Sequence, residues 1–176
     1  MLKLNLGCGD KLLEGYINID HASSRRGIKP DVEDDIRCLT DIAEGTIDEI
    51  LAVHVIEHFY RWEVNSILRN WFGLLKIGGK IILECPNLLF ACEQILKDPL
   101  NACLDDKRGQ LSMWPLYGDP SWADPLMCHK WAYTPQTLIT TLESAGFTNA
   151  RQEKAMFKLR EPRDMRIVAE KLVQIL

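Results

Sequence analysis

Apolar and polar residues alternate through Leu2-Lys3-Leu4-Asn5-Leu6 and then halt at Gly7-Cys8-Gly9-Asp10. Period-two alternation predicts a short strand. Two glycines one residue apart predict a sharp turn with no side chain between the backbone and a ligand. A second strand-like run, Gly15-Tyr16-Ile17-Asn18-Ile19-Asp20, ends in an acid. Asp31 to Leu39 opens acidic and turns mildly apolar, predicting a short third strand or an extended segment, and Thr40 to Gly45 reads as one helical turn with Thr40 as cap and Gly45 as stop. Thr46 to Val53 is the next strand; its wholly apolar end, Ile50 to Val53, predicts cover on both faces. Val64, Ile67, Leu68, Trp71, Phe72 and Leu75 then recur at helical spacing, predicting a helix from about Arg61 to Leu75 with one buried stripe.

Lys76 to Lys80 reads as a turn and Ile81 to Cys85 as a buried strand. Pro86-Asn87 opens a helix through about Lys97, with Asn87 as cap and Pro99 preventing its continuation. From there to Tyr133 no period is visible. This stretch holds Pro115, Pro120 and Pro125 among Trp114, Tyr117, Trp122, Trp131 and Tyr133. Long segments of this kind are lids or binding loops when they are not disordered, and the aromatic content argues against disorder. Thr134-Pro135 starts a last helix, with Leu138, Ile139 and Leu142 on its inner face and Gly146 as its stop. Phe147 to Lys154 and Met165 to Lys171 read as two final strands joined by a charged loop containing Pro162.

Strands alternating with helices over residues 1–176 predict a single α/β domain, with an irregular aromatic insert at about 98–133 as a substrate lid. Ligands of open parallel sheets bind outside the carboxyl ends of the strands, which places Gly7 to Asp10 on the floor of a cofactor site and Asp20 at a ribose. The dinucleotide fingerprint is absent. It needs a third glycine, a helix and an acid about 20 residues on, whereas Asp20 follows Gly7 by 13 positions and residue 12 is leucine. The stretch from Asp10 to Glu14 is too short for a crossover helix. A bare loop suffices, because the residues from Gly7 to Gly15 can reach about 30 Å.

The missing helix discriminates between cofactors. The pyrophosphate of NAD wants a helix N-terminus. S-adenosylmethionine carries no phosphate and bears a sulfonium cation, so a glycine turn and a ribose acid suffice. The pattern favours S-adenosylmethionine.

Composition narrows the class. Apolar residues make up 47% and charged residues 26% of the chain, ordinary for a globular protein. A formal net charge of −4 gives no overall field to gather nucleic acid, so none is expected as a partner. Arg25-Arg26 with Lys29 is the best basic patch and reads as a solvated loop. The six cysteines (8, 38, 85, 92, 103, 128) show no C-x-x-C and no paired spacing; they are expected to be reduced, mostly buried thiols of a cytoplasmic protein, with no metal framework. The chain enters its first strand directly, so no signal peptide is expected, and no apolar run approaches membrane-spanning length. The sequence names neither an acceptor nor an oligomeric state.

Taken in order, these segments resemble the class I S-adenosylmethionine-dependent methyltransferases over most of the chain. Leu4-Asn5-Leu6-Gly7-Cys8-Gly9 is similar to the family's first motif, and Ile17-Asn18-Ile19-Asp20 to its second-strand acid. Asp35-Ile36-Arg37-Cys38-Leu39 resembles the segment bordering the adenine, and Ile47 through Glu57-His58-Phe59 the fourth-strand motif. Leu74-Leu75-Lys76-Ile77-Gly78-Gly79 resembles the turn before the fifth strand, and Leu142 through Gly146-Phe147 the last helix and its exit. The resemblance implies a Rossmann-like, mostly parallel sheet with an antiparallel last strand, here lacking the first crossover helix.

The same resemblance implies cofactor contacts from Asn5, Gly7, Cys8, Gly9, Asp20, His21, Asp35, Ile36 and His54. Asn5 departs from the family, which usually has an acid there. The missing first helix is shared with a subgroup of short methyltransferases with Gly-Tyr/Trp-Ile-Asn-hydrophobic-Asp at the second strand. That subgroup often accompanies cell-surface polysaccharide genes, which points to sugar substrates.

The reaction implied is methyl transfer to a hydroxyl or amine of a small molecule. A hydroxyl gains from a general base, and His54, His58 and His129 are the candidates. His54 follows the fourth strand. Glu57 and His58 fall where the next helix starts, and helix-start packing with Glu57 favoured by the dipole competes with catalysis there. His129 sits in the aromatic insert. Cys8 has no basic sequence neighbour to lower its pKa and reads as a small residue beside the cofactor rather than a nucleophile. Two other classes stay open: a non-catalytic cofactor- or partner-binding domain, and a nicotinamide-dependent oxidoreductase, against which the missing helix and glycine argue.

Overall fold

A computed structural model describes residues 1–24, 26–157 and 162–172. Seven strands form one sheet: β1 (Lys3–Leu6), β2 (Ile17–Asp20), β3 (Val32–Glu33), β4 (Ile47–Val53), β5 (Leu75–Pro86), β6 (Thr148–Glu153) and β7 (Asp164–Glu170), in the order β3-β2-β1-β4-β5-β7-β6. The pairs among β1 to β5 are parallel, and β7 runs antiparallel to both β5 and β6. The order reverses at β1, between β2 and β4, which makes the carboxyl ends of β1 and β4 the natural binding edge.

Strand alternation sorts side chains onto two unlike faces. One face carries Leu4, Leu6, Ile50, Ala52, Ile81, Leu83, Ile167 and Ala169 in a single apolar core with Trp71 of α1 (Val64–Leu74) and Leu138 and Leu142 of α4 (Pro135–Ser144). Trp71 is fully buried, and its indole N–H donates to the Ile36 carbonyl at 2.7 Å. The other face has only a small apolar cluster, Leu51, Ile82 and Val168, covered by Leu13 and Tyr16 of the β1–β2 loop. Beside it lie the buried polar residues Asn5, Asn18, Glu49, Glu84 and Arg166. The loop thus takes the missing helix's place, and the polar groups on that face pair with one another: Arg166 with Glu84 at 2.9 Å, and Lys80 with Glu49 at 2.9 Å.

Two helix starts follow the local chemistry expected of them. Asn87 caps α2 (Leu88–Lys97) by accepting from the Leu89 N–H, and Thr134 and Thr137 form a reciprocal capping box with Pro135 at the first position of α4.

Elsewhere the structure corrects the expected boundaries. The third strand shrinks to Val32–Glu33, because the Asp35 carboxylate bends the chain by accepting from the Arg37 backbone and side chain. Residues 40–45 make turns and no helix. Glu57 and His58 lie in a separate 3-10 turn, Ile56–His58, ahead of α1. The sheet claims Leu75 and the following glycine segment, so β5 starts six residues early and reaches Ile47 across a register shift. The aromatic insert is not without regular structure: it contains 3-10 turns at Lys107–Leu111 and Pro125–Met127 and the short helix α3 (Met113–Tyr117). The expected loop between the last two strands, and Arg25 of the basic patch, lie partly or wholly outside the described residues. Among the described residues no helix is long and apolar enough to cross a membrane.

Candidate active site

The glycine turn leaves β1 through two left-handed residues, Gly7 at φ +65° and Gly9 at φ +53°. At Gly7 a side chain is excluded twice, by conformation and by contact: a Cβ there would stand 2.5 Å from Cγ2 of Val55. The turn is therefore pressed against the segment that follows β4. Asp20, at the carboxyl end of β2, accepts from the Gly9 N–H at 2.7 Å through one oxygen and from the His21 backbone at 2.8 Å through the other. The carboxylate ties the turn to β2. His21 is exposed, with Nδ1 2.9 Å from the same Asp20 oxygen.

Behind this turn Asn5 and Asn18 are partners across the parallel pair β1–β2. Asn5 Nδ2 donates to Asn18 Oδ1 and to the Lys11 carbonyl, both at 2.9 Å. Asn18 Oδ1 also accepts from the Leu13 N–H at 2.8 Å, and Asn18 Nδ2 donates to Asp31 Oδ2 at 2.8 Å and to the Leu13 carbonyl. Two buried amides thus satisfy the backbone of a loop that has no helix to satisfy itself. Asn5 faces this clamp. Asn18 was not among the residues singled out from sequence, although Leu-Asn-Leu and Ile-Asn-Ile in paired strands are its signature.

The remaining expected cofactor contacts vary in setting. Cys8 is buried, and burial, then the nearby Asp20 charge, push its thiol up to about 11, so it is protonated near neutrality. Asp35 forms a bidentate pair with Arg37, which holds its carboxyl below the usual range. Ile36 packs against the core and gives its carbonyl to Trp71.

At the carboxyl end of β4 the character changes. His54 adopts φ +56°, a left-handed conformation uncommon outside glycine and of a kind that concentrates at functional sites. Its backbone N–H donates to the Glu84 carbonyl at 2.7 Å. Its ring lies between two buried carboxylates, with Nε2 3.1 Å from Asp164 and Nδ1 3.2 Å from Glu57 Oε1. Beyond that contact neither Glu57 oxygen has a hydrogen-bond partner, although the residue is 1% exposed. Burial works to raise the Glu57 carboxyl, but His54, His129 and His58 outweigh it and hold the group below the ordinary carboxylate range.

The insert returns to this point. The Lys130 N–H donates to the Glu57 carbonyl at 2.7 Å, and His129 Nδ1 pairs with the Pro115 carbonyl at 2.8 Å, leaving Nε2 4.0 Å from Glu57 Oε1. Burial lowers the His129 pKa below its ordinary 6.5. His58 Nδ1 pairs with the Leu126 carbonyl at 3.0 Å, and the His58 and His129 rings meet edge-on at 4.9 Å. All three histidines expected as bases therefore converge on Glu57, and Asp164, from the far end of the chain, completes the group.

No family model matches the chain, and no curated protein does either. Solved structures do. A SAM-dependent methyltransferase from Archaeoglobus fulgidus superposes with a TM-score of 0.64 at 20% identity, over 97% of this chain and 86% of its own. One from Methanosarcina mazei gives 0.64 at 15% identity, over 98% and 93%. Human N-acetylserotonin methyltransferase, in complex with SAM, gives 0.60 at 19% identity, over 98% of this chain but 48% of its own. The fold is that of the class I methyltransferases. In this methyltransferase fold the glycine turn, Asp20 and the Glu57 group share one edge of the sheet.

Proposed function

We propose that the protein transfers a methyl group from S-adenosylmethionine to a hydroxyl of a small polar acceptor, a sugar being the expected class. The glycine turn and Asp20 take the cofactor, with Asp35 and Ile36 at its adenine end. The observation that carries the reading is the group at the end of β4: a buried carboxylate without hydrogen bonds, surrounded by three histidines, beside the turn. An amine acceptor attacks through its own lone pair and has no use for such a group. A hydroxyl does, because its proton must leave. In the transfer the acceptor oxygen bonds to the methyl carbon, the carbon–sulfur bond breaks, the sulfonium becomes a thioether, and the hydroxyl proton passes out through the group. The aromatic insert serves as the acceptor's lid. A structural neighbour, 1,6-didemethyltoxoflavin-N1-methyltransferase from Burkholderia thailandensis, was solved with bound 1,6-didemethyltoxoflavin and S-adenosylhomocysteine.

Thermal shifts with S-adenosylmethionine, S-adenosylhomocysteine and NAD test the cofactor. The first two stabilise the chain and Asp20→Ala removes most of the shift; stabilisation by NAD alone would overturn the reading. Release of S-adenosylhomocysteine on adding sugar acceptors tests the reaction. His129→Gln lowers that rate by about 10²- to 10⁴-fold while leaving the S-adenosylhomocysteine shift in place. Cofactor binding with no turnover on any hydroxyl acceptor would point instead to a binding domain.

A further inference from the structure

We propose that Glu57, His58 and His129 hold a divalent transition-metal ion, zinc in the first instance. One carboxylate oxygen and one nitrogen from each ring lie within 4.8 Å of one another. In a tetrahedral zinc centre with bonds of about 2.1 Å, ligand atoms stand about 3.4 Å apart. Small side-chain rotations close that difference, since Glu57 and His129 are already at 4.0 Å.

Three features separate this group from a chance cluster. The first is ring orientation. Both histidines give Nδ1 to a backbone carbonyl, Leu126 for His58 and Pro115 for His129. That fixes the neutral tautomer with its lone pair on Nε2, the arrangement that outer partners impose on metal-bound imidazoles. The second is the carboxylate. Glu57 is fully buried, and beyond the His54 contact at 3.2 Å neither oxygen has a hydrogen-bond partner; a buried anion so sparsely met is costly unless a cation joins it. The third is support. His54 stands between Glu57 and Asp164, at 3.2 Å and 3.1 Å, as the outer partner of a ligating carboxylate. Two imidazoles and a carboxylate leave a coordination position open, the pattern of catalytic rather than structural zinc.

The chemistry follows from the open position. A cation lowers the pKa of a hydroxyl bound to it toward neutrality. With the ion bound, the proton would still leave through the surrounding group, and the acceptor oxygen would attack the cofactor methyl with the thioether as leaving group. This use of the ion rests on the proposed methyl transfer; the site itself does not.

The test uses the full-length chain, stripped with chelator and titrated with Co²⁺ as a spectroscopic stand-in for zinc. The expected result is one ion per chain, with visible d–d absorption and no thiolate-to-metal charge-transfer band, displaced by Zn²⁺. His58→Gln and His129→Gln each weaken binding by at least about a hundredfold, and His54→Asn by about tenfold. Cooperative thermal unfolding of each variant certifies that it is folded. Absence of binding would overturn the proposal. So would affinity unchanged in both histidine variants, or a thiolate band abolished by Cys128→Ser, an exposed residue next to His129 in the chain. Metal binding without any S-adenosylhomocysteine shift would leave the site standing and reject the methyltransferase reading.

Discussion

One buried polar group lies on the helix-free face of the sheet and another beyond the carboxyl end of β4, and the two are built on opposite terms. Around Asn5, Asn18 and Asp31 the donors and acceptors of the amides and of the loop backbone meet within 2.8–3.3 Å. Around Glu57, His54 and Asp164, charges are concentrated and three carboxylate oxygens are left without hydrogen bonds. The first group is neutral where it is deepest and closes on itself; it holds a loop in place of a helix. The second keeps its valences open, a costly arrangement unless something else fills them. The contrast teaches that burial of polar atoms does not by itself mark a site. Incomplete satisfaction does.

The strongest way to break this comparison is to attack the closed group. Asn18→Ala leaves the Leu13 N–H without a partner and takes one hydrogen bond each from the Asn5 amide and from Asp31, and we expect it to cost about 3 kcal/mol. Chemical denaturation measures this, and a loss under about 1 kcal/mol would show that water replaces the clamp. The cofactor shift falls with it, because the loop positions the glycine turn. Gly7→Ala comes next, at about 2 kcal/mol, from a left-handed backbone and a collision with Val55. A variant of unchanged stability would mean that the turn is free of the β4 segment.

The open group shows itself in pH dependence. His129 has a folded pKa below 6.5, so its unfolded form binds protons first and stability falls as pH drops through 6.5 toward the folded value. Glu57 has a folded pKa below 4.5; its contribution is present above that pH and is lost as pH falls further. Both act in the same direction, so the melting temperature declines in two steps on acidification. His129→Gln removes the upper step and Glu57→Gln lessens the lower, to which Asp35, Glu49 and other paired carboxylates also contribute. At neutral pH Glu57→Gln lowers stability, because the carboxylate's attraction to its histidines outweighs its desolvation. Stability unchanged or raised there would show that desolvation wins instead.

Much of this layout is written in the chain. The alternation at Leu2–Leu6, the glycine pair, the acid at position 20 and the short Asp10–Glu14 stretch foretell a sheet edge with a bare loop. The i, i+3, i+4 stripe foretells α1 to within three residues at its start and one at its end. The clamp was legible only in hindsight, since it depends on the register that sets Asn5 beside Asn18. Asp164 was not legible. It reaches His54 across 110 positions through an antiparallel strand, and no local pattern announces such a contact. Glu57 carries an ambiguous signal, because an acid at a helix start is ordinary. Only its burial, at 1% exposure beneath the returning insert, makes it unusual.

The insert is fastened to the sheet edge at the carbonyl of the very residue whose side chain gathers the histidines, through the amides of Lys130 and Trp131. If the insert is the acceptor's lid as proposed, lifting it would carry His129 away from Glu57, and admission of an acceptor and assembly of the group would be mechanically one event.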